Sequence, residues 1–281
     1  MAHADHHHHA GSRLLVDPDR PPAVRHRLGR RRFLTDIGRG TLAVTIFGVT
    51  AIACSSDDSD DSDAGQPADS DAAADSSTTT ITPAGEPVSW HRVNLGFVSA
   101  YVLVRGREAA IVDTGIAGSE AAIAQTLTDV GVDWVDVDHV ILTHSHPDHA
   151  GSIPAVLEAA AGATAYAGEA DIPAIQSPRA LQAIGDGDEV FGLQIIATPG
   201  HTPGHISVLD LGGGFLVAGD ALTTDANGVA GPNEGFTADL AQAHDSVRKL
   251  AQLTFADVLA GHGDPVLGDG DAQVAALAAR L

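Results

Sequence analysis

Residues 143–151 have the sequence THSHPDHAG, which places three histidines and an aspartate within six consecutive positions. The preceding residues 137–142, VDHVIL, are mostly apolar and predict a strand, whereas residues 149–160 predict a helix. The cluster therefore lies on a connection between a strand and a helix, where loops commonly carry functional residues. The fold of this chain is therefore expected to place these side chains together in a binding or catalytic site.

Short strands and helices alternate from about residue 88 to residue 281. The predicted strands cover residues 98–104, 109–112, 137–142, 194–197, 206–211, 215–218 and 257–259, and the predicted helices cover 119–130, 149–160, 240–253 and 272–281. The three glycines at 212–214 predict a hairpin turn, because glycine readily adopts the positive φ angles of such turns. A length of about 195 residues suffices for one α/β domain with a sizeable core.

The spacing of the cluster favours metal binding. Side chains two residues apart in an extended backbone point to the same side, so His144 and His146 can bind one ion together. Pro147 then bends the chain, and Asp148 and His149 are directed elsewhere, toward a second ion. Neutral imidazole and carboxylate groups suit zinc and other borderline divalent ions. Four residues cannot complete two sites, so further ligands are expected at the ends of other strands.

Such ligands do follow other predicted strands. His201, Asp220 and His262 each follow an apolar strand, beside glycines that let the backbone turn tightly. His205 lies four residues after His201 in the string GHTPGH, but it begins the next predicted strand. Because the alternation of that strand commits its side chain, we predict that His205 supports the ligands from behind and does not bind metal itself.

With these residues the chain resembles the metallo-β-lactamase-fold hydrolase superfamily over residues 88–281. The motif H-x-H-x-D-H at 144–149 is very specific in this context. The resemblance implies an α/β fold, a four-layer αββα sandwich with the metals at one edge of its two sheets. It assigns His144, His146 and His201 to a first metal, Asp148, His149 and His262 to a second, and Asp220 to a bridge between them. Asp113, in the string IVDTG, matches an early family aspartate that supports the site.

The chemistry expected from this arrangement is hydrolysis of a small molecule. Two divalent ions, chiefly zinc, about 3.5–4 Å apart can share a bridging water and lower its pKa, giving hydroxide at working pH. Asp148 is a candidate acceptor for the proton of this water, and we count it with the bridging Asp220 as a catalytic residue. An ester, thioester, lactone or related bond is expected as the target.

The string GHTPGH and Asp220 resemble thioesterases of the glyoxalase II type. That branch has a helical C-terminal domain whose basic residues grip glutathione, and this domain is not expected here because the chain ends 19 residues after His262. The choice between thioester and lactone stays open. The non-enzymatic alternative is an exported metal-binding lipoprotein without hydrolytic turnover, but ligands dispersed over several strand ends favour the fixed geometry that catalysis needs.

Charge excludes one class of partner. Residues 54–281 contain 33 acidic and 7 basic residues, a net charge of −26. Binding to a nucleic acid backbone requires a basic surface, so no nucleic acid partner is expected.

Residues 1–53 predict an export signal. The string RRRFL at 30–34 precedes an apolar run of 13 residues at 41–53, which is shorter than the roughly 20 residues that span a bilayer. A basic region before a short apolar run is typical of export signals, and RR-x-F-L resembles a twin-arginine signal. A short membrane anchor and a buried helix are the alternatives.

Cys54 is the only cysteine, so no internal disulfide can form. It follows Ala51-Ile52-Ala53, which resembles a lipoprotein processing box, and a lipidated Cys54 would tether the mature protein. A free thiol is the alternative. Residues 54–87 are rich in Ser, Asp and Ala and predict a disordered acidic linker. This organisation places the protein in the cell envelope, lipid-anchored on the outer side of the cytoplasmic membrane.

Overall fold

A computed structural model describes residues 86–212 and 214–281. Its first strand begins at Ser89, next to the predicted start of the domain at residue 88. The predicted export signal, Cys54 and all but two residues of the predicted linker lie outside the described residues. Across the described ranges, the helices are all too short or too polar to cross a membrane.

The first sheet has six strands. In spatial order they are β1 (Ser89–Asn94), β2 (Ser99–Arg105), β3 (Glu108–Val112), β4 (Val137–Leu142), β5 (Thr164–Gly168) and β6 (Gln182–Ile184). The first three pair antiparallel, whereas β3 to β6 pair parallel. Helices α1 (Glu120–Val130), α2 (Pro147–Ala150) and α3 (Ile153–Ala159) occur in the connections between the parallel strands.

The second sheet has five strands. They are β7 (Glu189–Val190), β8 (Leu193–Ala197), β9 (Ile206–Asp210), β10 (Phe215–Gly219) and β13 (Asp257–Ala260), in the order β13-β10-β9-β8-β7. Strands β9 and β10 form the hairpin predicted around residues 212–214. A separate small hairpin consists of β11 (Thr223–Asp225) and β12 (Gly228–Ala230), and α4 (Leu240–Leu250) and α5 (Gly270–Ala278) complete the elements.

The fold has four layers, two sheets between two layers of helices, and a cluster of apolar side chains lies between each pair of adjacent layers. Residues of α1 and α3, such as Ile123 and Val156, pack on one face of the first sheet. The other face, including Tyr101, packs on the second sheet. The outer face of the second sheet packs against α4 and α5 through residues such as Val247 and Val274. This αββα order confirms the predicted fold and explains the nearly continuous apolar runs, since central strands are buried on both faces.

The helix predicted at residues 149–160 is wrong in one respect, because two short helices meet at a turn. The Gly151 N–H donates to the carbonyl of Gly115 (2.9 Å) and not to a carbonyl of its own helix. A Cβ on Gly151 would lie 2.7 Å from the Ala117 backbone nitrogen, so only glycine fits there. Pro154 lacks the N–H that a continuous helix would need.

Strands β1, β5, β6, β7, β11 and β12 are absent from the strands predicted from sequence, and β1 and β5 are the longest of these six. The residues of β1, SWHRVN, are mixed in polarity because this strand lies at the edge of its sheet and is partly exposed. The residues of β5, TAYAG, are mostly small and have weak intrinsic strand preference. Pairing with β2 and β4, and not local preference, makes them strands.

The topology collects polar residues at one edge. Strands β3 and β4 are parallel neighbours, so their carboxyl ends point the same way. In the second sheet β10 is parallel to β13, and β8 points the same way because both β8 and β10 are antiparallel to β9. The Ile206 N–H donates to the carbonyl of Thr143 (2.9 Å), which joins the two sheets at this edge.

Candidate metal centre

The structure brings together the two predicted ligand triads. Their ligand atoms lie within 4.8 Å of one another inside each triad: His144, His146 and His201 in the first, and Asp148, His149 and His262 in the second. Asp220 lies between them, with Oδ1 3.3 Å from the Nε2 of His149 and Oδ2 3.4 Å from the Nε2 of His201. All seven residues predicted as ligands therefore meet at one place, although ligation itself stays a prediction.

Asp113 orients a ring in each triad. Its Oδ2 accepts a hydrogen bond from the Nδ1 of His149 (2.8 Å) and another from the Oγ1 of Thr143 (2.8 Å). Because that hydroxyl donates to Asp113, it accepts from the Nδ1 of His144 (3.0 Å). Both imidazoles are thereby fixed with Nε2 free to face the centre, which is the arrangement that surrounds metal-binding histidines. Asp113 is thus placed where its predicted supporting role requires.

The other two Nε2 ligands are oriented in the same way. The Nδ1 of His262 donates to the carbonyl of Phe97 (2.7 Å), and the Phe97 ring stacks on the imidazole. The Nδ1 of His201 lies 3.3 Å from the Oγ1 of Thr237, which itself donates to the carbonyl of Asn233. Four of the five ligand histidines therefore have their second ring nitrogen satisfied by a protein group.

The donor set fits divalent metal ions. The Nδ1 of His146 lies 3.1 Å from the Nε2 of His144 and 2.9 Å from the Nε2 of His201. Two nitrogens on one tetrahedral zinc are about 3.4 Å apart for bonds near 2.1 Å, so this spacing is close to that of a shared ion. Asp220 Oδ1 is buried and accepts no hydrogen bond from any described residue. A bound cation would satisfy this oxygen and the converging nitrogens.

The two triads differ in charge. Burial lowers the pKa of His144 well below its usual value and that of His201 to about 4, so both rings are neutral. Hydrogen bonds to Asp148 and Asp220 instead raise the pKa of His262 to about 10. Burial raises the pKa of Asp220, but the hydrogen bond from His262 and the charge of neighbouring histidines lower it overall to about 2. Without metal, His262 is therefore a cation between two carboxylates.

His205 lies behind the ligands and not among them. Its Nε2 accepts a hydrogen bond from the N–H of Asp220 (3.0 Å), and its Nδ1 lies 2.8 Å from the Oγ1 of Thr198. That hydroxyl is 3.0 Å from the Oγ of Ser207, which donates to the carbonyl of Ala218. Both ring nitrogens of His205 are thus engaged by protein, and burial lowers its pKa to about 3. Its place agrees with the predicted supporting role.

Several residues of the centre were not predicted from sequence. Thr143 relays between Asp113 and His144, and its position directly before the histidine cluster was the one available signal. Thr237 and Asp171 carry no signal in the sequence, because each contacts the centre from a distant connection. A single polar residue in such a connection resembles any surface residue until the fold is known.

Two adjoining cavities open beside the triads. The first, about 430 Å³, is lined by Phe97, His146, Pro147, Asp148, Asp220, Thr223, Asn233, Phe236 and His262. The second, about 670 Å³, shares Phe97, Pro147 and Asp148 with the first and continues along Ile116, Ala150, Pro154, Ala174, Ile175 and Gln176, among others. The lining of both cavities, as the described residues define it, contains no lysine or arginine. The exposed rings of Phe97 and Phe236 make their entrance apolar.

The model of the family described as the metallo-beta-lactamase superfamily matches residues 93–262, more than half of the chain. The chain belongs to the metallo-β-lactamase superfamily. This span contains Asp113 and all seven predicted ligands, so the resemblance inferred from the motifs is confirmed.

Relatives within the superfamily share only parts of the chain. The probable metallo-hydrolase YflN of Bacillus subtilis (strain 168) is 30% identical over 201 residues, which are 56% of this chain and 76% of YflN. A hydroxyacylglutathione hydrolase of Aeromonas hydrophila subsp. hydrophila is 36% identical over 124 residues, which are 42% of this chain and 44% of that enzyme. The chain thus spans less than half the length of the latter. Together these findings support a metal-dependent hydrolase.

The solved structures agree on the fold. The crystal structure of the metallo-beta-lactamase family protein TTHA1429 from Thermus thermophilus superposes with a TM-score of 0.56 at 25% identity, covering 69% of this chain and 78% of TTHA1429. TTHA1429 therefore has the same mixed α/β architecture as this chain.

His201 and His205 are expected to differ in metal binding. His201→Ala removes one of three ligands from the first triad and should lose metal at that site, whereas His205→Ala should retain most of its metal with activity reduced about 10–100-fold. Elemental analysis of the two purified variants checks this. His244→Ala, on the outer helix α4, is the matched control and should change neither quantity. Equal metal loss from both variants would contradict the assignment of the first site.

Metal binding is expected to release protons at the second triad. His262, with a pKa of about 10, is protonated in the metal-free protein at neutral pH, and a ligand imidazole must be neutral. Apparent affinity there should therefore rise with pH up to about 10. Calorimetric zinc titrations in buffers of different ionisation enthalpy measure the protons released. The His262→Ala variant should release fewer, and an unchanged number would refute the expectation.

Proposed function

We propose that the protein is an exported, binuclear metal-dependent hydrolase that cleaves an ester, thioester, lactone or related bond in a small molecule. The observation that carries this proposal is the convergence of two ligand triads on Asp220, which lines a cavity together with His146, Asp148 and His262. Imidazole and carboxylate donors suit zinc, and another divalent transition metal would fit the same donors. When bound, the two metals would supply Lewis acidity and lower the pKa of a water.

The residues of this chain would arrange and assist the reaction. Asp220, buried between the triads, would bridge the two ions and set their spacing. The carboxylate of Asp148 lines both cavities, and hydrogen bonding to His262 lowers its pKa, so it is ionised at neutral pH. It would accept a proton of the attacking water and pass it to the leaving oxygen or sulfur. The water oxygen forms the new bond to the carbonyl carbon as the bond to the leaving group breaks.

The cavities favour an uncharged substrate with an apolar part. Their lining is dominated by apolar side chains such as Phe97, Ile116 and Ile175, and Asp148 and Asp220 are the acidic groups facing the space. Away from the predicted metal ligands, the described lining has no lysine or arginine to pair with the carboxylates of a glutathione group. Glutathione thioesters, the substrates named for one group of relatives, are therefore less well matched than neutral esters, thioesters or lactones.

Export and lipid anchoring form the second part of the proposal. Arg30-Arg31, the short apolar run at 41–53 and Cys54 support a twin-arginine lipoprotein signal of residues 1–53. Residues 54–87 would be an acidic linker, and residues 88–281 the hydrolase domain. The mature protein would stand on the outer side of the cytoplasmic membrane, where its substrate is a small molecule of the cell envelope or the surroundings.

The protein is expected to contain about two divalent ions and to turn over neutral substrates. The four consecutive histidines at 6–9 are themselves metal ligands, so elemental analysis of protein lacking them measures the metal content. A panel of esters, thioesters, lactones, β-lactams and phosphodiesters measures the turnover. Within the panel, one acyl group is compared on glutathione and on neutral N-acetylcysteamine, and the neutral thioester should be cleaved faster.

The outcomes separate the alternatives. Background metal content would refute the metal centre. Two bound metals without turnover of any substrate would favour the alternative function, an exported metal-binding lipoprotein. Preference for the glutathione thioester would contradict the argument from cavity charge while leaving the hydrolase proposal intact.

Export should depend on the arginine pair. Replacing Arg30 and Arg31 together with lysine is expected to leave precursor in the cytoplasm, because twin-arginine recognition requires that pair. Fractionation of cells followed by immunodetection measures the distribution. The matched control replaces Arg25 and Arg27 with lysine and should be exported normally. Normal export of the first variant would exclude this route, and a soluble mature form of the unaltered protein would exclude the lipid tether.

A further inference from the structure

The side chain of Asp171 is buried and accepts hydrogen bonds from uncharged groups of two separate loops. It is 2% exposed and follows β5. Its Oδ2 accepts hydrogen bonds from the N–H of Ser145 (2.8 Å) and the Oγ1 of Thr202 (2.6 Å), and its Oδ1 accepts one from the N–H of Gly204 (2.8 Å). Three hydrogen bonds of 2.6–2.8 Å to one buried side chain constrain both loops.

The three donors are interleaved with the first ligand triad. Ser145 lies between His144 and His146, and Thr202 directly follows His201. The first pair follows β4 of one sheet, whereas His201 follows β8 of the other. We propose that Asp171 is a positioning residue that joins these two loops and sets the distance between the His144–His146 pair and His201 before metal binds.

The local geometry shows that the Asp171 side chain is committed to this contact. Asp171 stands at the N-cap of the short 3₁₀ helix Ile172–Ala174, where an aspartate would commonly accept a hydrogen bond from a helix N–H. The Asp171 side chain accepts no such hydrogen bond from this helix. The carboxylate is turned instead toward the ligand loops.

Two glycines permit the close approach. A Cβ on Gly204 would lie 2.8 Å from the Oδ1 of Asp171, and a Cβ on Gly168 would overlap the carbonyl oxygen of Gly204. Both positions therefore require glycine for space, and the segment 168–171 is packed directly onto the segment 202–204. Such packing would be needed to transmit the position of one loop to the other.

The consequence for metal binding rests on the metal centre proposed above, whereas the joining of the loops does not. Asp171→Asn keeps the size of the side chain but leaves one acceptor oxygen in place of two, so either the Ser145 N–H or the Gly204 N–H loses its acceptor. Affinity for Co²⁺ at the first triad should fall roughly 10–100-fold, and the visible spectrum of the bound cobalt should change as its ligand geometry loosens. Asp210→Asn is the matched control, a buried aspartate at the far end of β9, and should leave both unchanged.

Variants of Thr202 test whether Asp171 acts through its hydrogen bond to this residue. Thr202→Val removes the hydroxyl but keeps the shape and should weaken cobalt binding less than Asp171→Asn, whereas Thr202→Ser restores the hydroxyl and should recover it. In the double variant Asp171→Asn/Thr202→Val, the loss should equal that of Asp171→Asn alone, because both changes break the same contact. Fully additive losses would contradict a role through Asp171.

Amide hydrogen exchange of the metal-free protein tests the joining without metal. The amide of Ser145 or that of Gly204, whichever loses its acceptor, should exchange roughly 10-fold faster in Asp171→Asn than in the unaltered protein, while the Ile206 amide, bonded to Thr143, should not change. Unchanged exchange at both amides would overturn the proposal. An unaltered protein that fails to bind cobalt would refute the metal centre, and the exchange rates would still decide whether Asp171 joins the loops.

Discussion

The arrangement of the predicted metal ligands depends on the hydrogen bonds that the carboxylate of Asp113 accepts. Asp113 and Thr143 follow two parallel neighbouring strands, so their side chains leave the same edge of the sheet. One buried side chain then orients a histidine of each triad, His149 directly and His144 through the Thr143 hydroxyl. Asp113 has a left-handed backbone (φ 62°), a conformation that aspartate tolerates better than most residues and that is commonly kept at functional sites.

Other protein groups offset the cost of burying the imidazoles of the two triads. Buried imidazoles are costly unless their polar atoms have partners, and the outward nitrogens of His144, His149, His201 and His262 all have one. The inward nitrogens face one another and the unpartnered Oδ1 of Asp220. A divalent cation bound there would supply the partner that this oxygen lacks and would be shared by the converging nitrogens. The same preorganisation gives a catalytic site its fixed geometry.

Much of this organisation could be predicted from local sequence because the chemistry is concentrated there. The H-x-H-x-D-H motif at 144–149 follows a recognisable strand, and each further ligand follows an apolar run beside glycine. The prediction failed where tertiary contacts overrode local preference. The segment 149–160 has helical character throughout, yet the bond from Gly151 to Gly115 breaks it into two helices. The small residues of β5 form a strand only because β4 and β6 pair with it.

The sequence by itself determined the kinds of ligand, their order along the chain and the division into alternating strands and helices, since periodicity and residue chemistry are local properties. It also predicted that His205 supports the ligands, because a side chain at the start of a strand is committed by that strand. Only the tertiary structure decided which polar residues from distant connections complete the centre. The contacts of Asp171 and Thr237 with the loops and side chains of the predicted ligands arise because two sheets pack face to face, and the distances across that interface are set by the whole core and not by any neighbouring residue.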